Sequence, residues 1–476
     1  MPEFAKISTR NQRKKNKSKR QSKKHQEYIK RERARAARIK AKREKHRRKH
    51  PQQEMHQGMM IILARYIIMR VKLREYLSCI SLKKKPNSMF SVIDMIVGLV
   101  ALMAFGIRRV YDVAKYQEHK LLARALQLDR MFSPCTAYRF LKEFGILTIC
   151  RSLQKANSKM ICSILAAQKE VVVDGDWSTL RSYPNQKEGA VKGNNKLRPG
   201  RPCYQASAYF ANGFYIKASV LAGNQVPLQP LALLTDLKEV RRLCGHIDWI
   251  RLDAGYQGKE KLQNLDNFSW QGNSRKKVKF IISIGSAGIG FKYACKASRF
   301  RVWHRVKKGV FIQDFDHVQV YQGDQKYHRL ILVRRFFEQE QKWKHYALVT
   351  NDTEQDAIAL YRFYHKRQGI EGFFDDAKNS YFIEHLPSSQ LLGNSLYFNI
   401  VCFAFNVLIL FRHEVLRKKD HWMQLKTLQK KYLDLDLTWD GTILTISRSL
   451  PIYRCILMIL QRLEKLNIAL EYRLCG

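Results

Sequence analysis

Residues 169–180 read KEVVVDGDWSTL, and residues 246–258 read HIDWIRLDAGYQG. Each is a short β-branched or apolar run that stops on an acid. Val171-Val172-Val173 stops on Asp174, and Trp249-Ile250-Arg251-Leu252 stops on Asp253. Continuous apolar runs closed by turn residues predict strands buried on both faces. Between them, CYQASAYFANGFYIKASVLAG at 203–223 predicts a hairpin about Ala211-Asn212-Gly213. LALLTDLKEVRRLCG at 231–245 then predicts a helix. Residues 278–350 are strand-rich, and helices return from Thr353 to Phe411. This order predicts an α/β domain at 166–411 with an all-β insertion at about 270–350. No internal repeat is visible.

The flanks differ. Residues 58–165 carry long apolar-periodic segments and little turn chemistry, so they predict a helical N-terminal domain, and the basic excess of the chain makes DNA binding its expected role. Within it, Ser133 is a natural N-cap and Pro134 suits the first helical turn, which puts Arg139 one turn in. A helix-turn-helix and a plain bundle helix both fit that pattern. Residues 412–476 predict a further helical region. Two apolar stretches, 89–107 and 396–411, are interrupted by Asp94, Gly98 and Gly106 and by Asn399 and Asn406. They read as buried core helices rather than membrane spans.

The chain has 476 residues, 45% of them hydrophobic and 11% aromatic, which excludes wholesale disorder. Eighty-seven Lys and Arg stand against 40 Asp and Glu, a formal charge of +47, so a polyanionic partner is expected. Residues 1–50 hold 22 basic and 4 acidic side chains, and the rest of the chain is still +29. The stretch 1–57 cannot bury a core. It predicts a disordered basic tail, either held on a phosphate backbone or merely solvated. None of the ten cysteines has zinc-ligand spacing, and the first residues contain no apolar signal segment. Free thiols and a cytoplasmic location are expected.

In an open α/β sheet, ligands bind beyond the carboxyl ends of the strands. Asp174 and Asp253 placed there, with Glu371 from a helix, would suit two divalent metals of the Mg²⁺ or Mn²⁺ type. Ordinary turn chemistry also accounts for Asp-Gly and Asp-Ala-Gly. Asp176 competes with Asp174, since i and i+2 share a strand face. Asp174 is preferred because it directly follows the apolar run. Residues 364–378, YHKRQGIEGFFDDAK, carry Tyr364, Arg367, Glu371 and Lys378 at offsets that fall within about 60° on one helix face. Two cations, a phenol and a carboxylate suit one metal ligand flanked by phosphate contacts. A solvated charged face is the plainer alternative, and Asp375 shares the face.

The spacing Tyr, two residues, Arg, three residues, Glu, six residues, Lys resembles the signature of DDE transposases of bacterial insertion sequences, which have an RNase H-like catalytic core. VVVDGD resembles the first catalytic strand of that family and IRLDAGYQG the second. Asn399 and Asn406 fall where the helix after the signature carries them. Gln186-Lys187-Glu188-Gly189-Ala190, Gly193-Asn194, Gly223-Asn224, Gly106-Ile107-Arg108-Arg109 with Asp112, and Ser133-Pro134 with Thr136 and Arg139 resemble one subgroup. The likeness covers roughly 90 to 470 and leaves out the tail.

The resemblance implies that Asp174 (or Asp176), Asp253 and Glu371 hold two Mg²⁺ or Mn²⁺ ions. It implies that Tyr364, Arg367 and Lys378 contact DNA. The partners would be double-stranded DNA, both terminal inverted repeats and target, met by a homodimer in a synaptic complex at the bacterial nucleoid, with no membrane. The activity would be strand cleavage at the element's ends and 3′-OH strand transfer into target DNA, with a hairpin intermediate in some relatives. Trp303 and Trp343 in the insertion are candidates for holding a flipped base, although packing explains either. A DNA-binding protein without catalysis and an RNase H-like nuclease share parts of this pattern. Metal-dependent cleavage separates the first from a transposase, and strand-transfer products separate the second.

Overall fold

The computed structural model describes residues 58–475 apart from 83, 85–87, 183–186, 194, 196–197, 226–229, 271–276, 287, 382, 422, 434–436, 440–442, 449 and 451. The basic tail at 1–57 lies outside the described residues, as does the side chain of Glu371.

The N-terminal region is helical. It contains α1 (Gly58–Arg65), α2 (Val92–Ala104), α3 (Pro134–Phe144) and α4 (Leu147–Ala166). The polar residue that interrupts the first apolar stretch has a local task. Asp94 accepts from the Ser91 N–H at 2.9 Å while Ser91 Oγ accepts from the Asp94 N–H at 3.0 Å, a reciprocal cap that starts α2. Helix α3 begins as its sequence suggests, with Ser133 Oγ accepting from the Thr136 N–H at 3.2 Å. These helices share one apolar core with the α/β region that follows.

The sheet is built around β1 (Val172–Arg181). On one side β1 pairs antiparallel with β3 (Pro202–Ala211), which pairs with β4 (Phe214–Ala222) and with the short β2 (Val191–Lys192). The turn between β3 and β4 has Asn212 at φ 49° and Gly213 at φ 87°. Two successive positive φ angles make the two-residue turn whose twist matches a hairpin. Helix α5 (Pro230–Cys244) then crosses to β5 (Trp249–Leu252), parallel to β1, and α6 (Lys259–Trp270) crosses to β6 (Lys279–Ile284), parallel to β5. The mixed order β4-β3-β1-β5-β6 is that of an RNase H-like core.

The β-rich block continues this sheet instead of forming a separate body. After one helix, α7 (Ile289–Ala297), come β7 (His304–Lys307), β8 (Val310–Val318), β9 (His328–Phe337) and β10 (Lys342–Thr350). Strand β10 pairs antiparallel with β6, and the order runs on through β9 and β8 to β7. Trp303 and Trp343 lie in this extension near the Arg334 guanidinium, whose carbon is 5.7 and 4.1 Å from their ring centroids.

Three helices follow: α8 (Ala357–His365), α9 (Gln368–Asn379) and α10 (Leu391–Val415). Helix α10 is long and apolar enough to cross a membrane, yet 89% of its most apolar stretch is buried in the protein. Its polar residues seal the outer edge of β4. Ser395 Oγ bonds both the N–H and the C=O of Val220, and Asn399 donates to the Ala218 carbonyl. Asn406 accepts from the Tyr215 N–H and donates to its carbonyl at 2.9 and 2.8 Å. Side-chain amides thereby complete a ladder that an unpaired edge would leave open. The region after Val415 adds to its helix α11 (Tyr453–Lys465) a three-stranded sheet of β11 (Thr438–Trp439), β12 (Leu444–Ser447) and β13 (Tyr472–Cys475).

Candidate active site

The side chains of Asp174, Asp176 and Ser178 share one face of β1, and each meets a cation. Asp174 receives a two-pronged ion pair from Arg251 on β5, with Nε and Nη2 each 2.6 Å from a carboxylate oxygen. Arg251 also donates to the Phe363 carbonyl at 2.7 Å, and both members of the pair are buried. Burial pushes the Asp174 carboxyl up while Arg251 pulls it back. Asp176 faces Arg367, whose Nη1 is 3.4 Å from Oδ2. Lys378 Nζ donates to Ser178 Oγ at 2.6 Å.

Strand β5 ends beside this row. The β1–β5 register runs to Gly175 opposite Leu252, so Asp176 and Asp253 are the next residues on the two strands. Asp253 is half-buried, and its Oδ1 accepts from the Gly255 N–H at 2.9 Å, which caps a turn over Ala254–Tyr256. Tyr256, at the end of that turn, is fully buried. Burial, then the charges of Asp176 and Asp253, push its phenol well above the ordinary range. Both acids are thus within electrostatic reach of one hydroxyl. Gly175 makes the close packing possible, because a Cβ there would lie 2.8 Å from Leu252 Cδ2 and 3.0 Å from the Tyr209 ring.

The motif residues at 364–378 do not share one uninterrupted helix. Tyr364 lies in the last turn of α8, and Arg367 is the N-cap residue of α9. Between the helices the Lys366 and Arg367 N–H groups donate to residues three back, at 3.2 and 3.0 Å. The tighter turn breaks the helix without reversing the chain. Tyr364 Oη donates to the Leu252 carbonyl at 3.3 Å, which ties α8 to the end of β5 just before Asp253. Burial pushes the Tyr364 phenol up, with Arg367 pulling against it and Asp253 adding to it. Glu371 lies in the first turn of α9. Asp375 is exposed.

Among the described side chains no three His, Cys, Asp or Glu stand together as a metal cage. What the structure brings together is Asp176, Asp253, Tyr256, Tyr364 and Arg367. Asp174 is held apart by Arg251. Arg251 and Tyr256 are the residues that sequence reasoning missed. For Arg251 a signal existed, since an arginine inside a run as apolar as Trp-Ile-Arg-Leu must find an anion.

A family model described as the transposase DDE domain matches residues 167–407. The chain belongs to that family. DDE transposases act on DNA and use divalent metals, and the work of this chain is DNA transposition. Among solved structures, a piggyBac transposase synaptic complex with hairpin DNA is similar at 12% identity over 78% of this chain and 80% of that one, with a TM-score of 0.40. A Mos1 transposase paired-end complex with left transposon end is similar at 14% identity over 40% and 60%, with a TM-score of 0.16. No curated protein matches. The matched span begins before β1 and ends in α10, so the DDE domain includes the sheet, its extension and both helices of the motif.

Proposed function

We propose that this DDE domain cleaves DNA at the ends of a bacterial insertion sequence and joins the freed 3′-OH to target DNA, and that Asp176, Asp253 and Glu371 are its three acids. The observation that carries this choice is the register, which ends at Gly175 opposite Leu252 and leaves Asp176 and Asp253 as the next residues on the two strands. Asp174, the acid that the apolar run alone favours, is occupied by Arg251 and serves the fold.

Two adjacent hard carboxylates, one buried and one half-buried, fit Mg²⁺ or Mn²⁺. Asp176 and Asp253, with Glu371 from α9, would hold them. Two such ions stabilise both the attacking and the leaving oxygens of an in-line phosphoryl displacement. The rest falls to the chain. Arg367 holds Asp176 in place and offers a planar fork to a phosphate. Lys378, half-buried at Ser178, supplies a second phosphate contact farther along β1. Tyr364 is buried and acts by anchoring α8 to β5, a positioning role. Two element ends must be held at once, so the working form is a homodimer on DNA, at the nucleoid.

The test uses plasmids carrying the element's inverted repeats, with Mg²⁺ or Mn²⁺. Wild type gives excision and strand-transfer products. Asp176→Asn, Asp253→Asn and Glu371→Gln give neither, while binding to end DNA is kept. Cleavage without joined products in wild type would replace this reading with a nuclease.

A further inference from the structure

A second basic site lies at the far end of β1, in a cleft of about 310 Å³ between the N-terminal helices and the catalytic domain. Its walls come from separate stretches of chain: Arg109 and Tyr138 from the helical region, Arg181 at the end of β1, Lys187 beyond it, and Glu384 and His385 after α9. Arg181 is anchored on Glu384, with Nε 3.4 Å from Oε1, and Lys187 Nζ donates to the Leu386 carbonyl. Burial, then the Arg109 charge, hold the His385 imidazole below its ordinary range, with Glu384 opposing them and Lys187 adding a smaller push. One carboxylate among three strong cations leaves the cleft positive. The neighbouring Tyr204 Oη donates to the Glu188 carbonyl at 3.0 Å and fixes the loop that carries Lys187.

We propose that this cleft binds a backbone phosphodiester of the same DNA whose scissile phosphate is at the acids, which rests on the transposase reading above. Arg367 and Lys378 meet β1 at Asp176 and Ser178 on one face, and Arg181 ends the strand with its side chain starting from the other face and anchored on Glu384 after α9. Asp176 to Arg181 spans five residues of β1, about 16 Å at ~3.3 Å per residue. A duplex advances about 3.4 Å of axis per nucleotide, so the phosphate held here lies within about five nucleotides of the cut. The cleft sets how far the DNA runs along β1 before it meets the N-terminal helices. It does this by charge and carries no sequence information.

Binding of full-length protein to end-containing duplex, measured in EDTA, isolates this site from catalysis. The Arg109→Ala/Lys187→Ala double variant binds about tenfold more weakly at 0.15 M salt. Its log K against log salt slope falls by about 0.9 for the one phosphate lost. Duplexes with a single neutral methylphosphonate near the cut site locate the contact. One position weakens wild type severalfold and leaves the double variant unchanged. Arg109→Lys, which keeps the charge, restores most of the binding. Inorganic phosphate at millimolar concentration does not compete, because a lone ion lacks the neighbouring contacts. The proposal fails if every methylphosphonate affects wild type and variant alike, if the salt slope is unchanged, or if inorganic phosphate displaces the DNA. Loss of cleavage in the acid variants is scored separately, so either reading can fail alone.

Discussion

Asp174 and Asp176 sit two residues apart on the same face of β1, and their surroundings differ. Around Asp174 the two strands are still paired, Arg251 stands directly across, and the Phe363 backbone closes the site. Around Asp176 the partner strand has ended, the next residue is another acid, and the facing cation arrives from a helix at a longer distance. The closed region is a buried ion pair with its hydrogen bonds satisfied. The open region is a pair of like charges that gains from an added cation. In the proposed reading, two residues along β5 separate a residue of the fold from a residue of the chemistry.

The largest effects belong to the open region. Asp253→Asn and Glu371→Gln should each lower cleavage on the order of 10³-fold or more, with near-normal unfolding in urea. A variant that keeps cutting would move the metal site elsewhere.

The closed region should answer in stability instead. Arg251→Ala leaves a buried carboxylate without its partner and should cost about 3–5 kcal/mol of unfolding free energy. Adding Asp174→Ala to it should recover part of that loss, because the stranded charge is gone. A double variant that is worse than the single one would mean that the pair is not a unit.

Between the two regions, Gly175→Ala forces a methyl group against Leu252 and Tyr209 and should cost about 1–3 kcal/mol. Cleavage by the remaining folded protein should drop as well, since Leu252 precedes Asp253. Unchanged activity would show that the strand ends tolerate a shift.

The smallest effect is a pH dependence near Arg367. Burial, then Lys307, Arg335 and Arg367, hold the His365 imidazole down at about 4. In the unfolded chain it protonates near 6.5, so between about 4 and 6.5 the unfolded state binds more protons. Stability therefore falls as pH drops from about 6.5 to about 4. Because the ring is only half-buried, about 1–2 kcal/mol is expected rather than the full shift. His365→Gln should flatten this slope in a urea series, and an unaltered slope would assign it to other groups.

Much of this architecture is local and can be read along the chain. The valine run marks β1, Asn212-Gly213 marks the hairpin turn, and Ser133-Pro134 marks the start of α3. What could not be read depends on partners far away in sequence. Strand parity puts Asp174 and Asp176 on one face, and only the pairing with β5 brings Arg251 to the first of them. The break at Lys366–Arg367 follows from tightening of one turn, which the spacing of the motif does not reveal. Strands β12 and β13 pair across an intervening helix, and each is too short to show periodicity. The amide seal on β4 places Asn399 and Asn406 in a structural role visible only once the edge of that strand is known.

The central claim is that Asp176, not Asp174, works with Asp253. It is tested most directly by making Asp174→Asn and Asp176→Asn and measuring, for each, DNA cleavage per folded molecule alongside the urea midpoint. The account predicts that Asp176→Asn keeps its midpoint and loses cleavage. It predicts that Asp174→Asn loses a few kcal/mol of stability, in the range expected for a broken buried pair, and still cuts. An Asp174→Asn protein that folds normally and is inactive, beside an active Asp176→Asn protein, would contradict it.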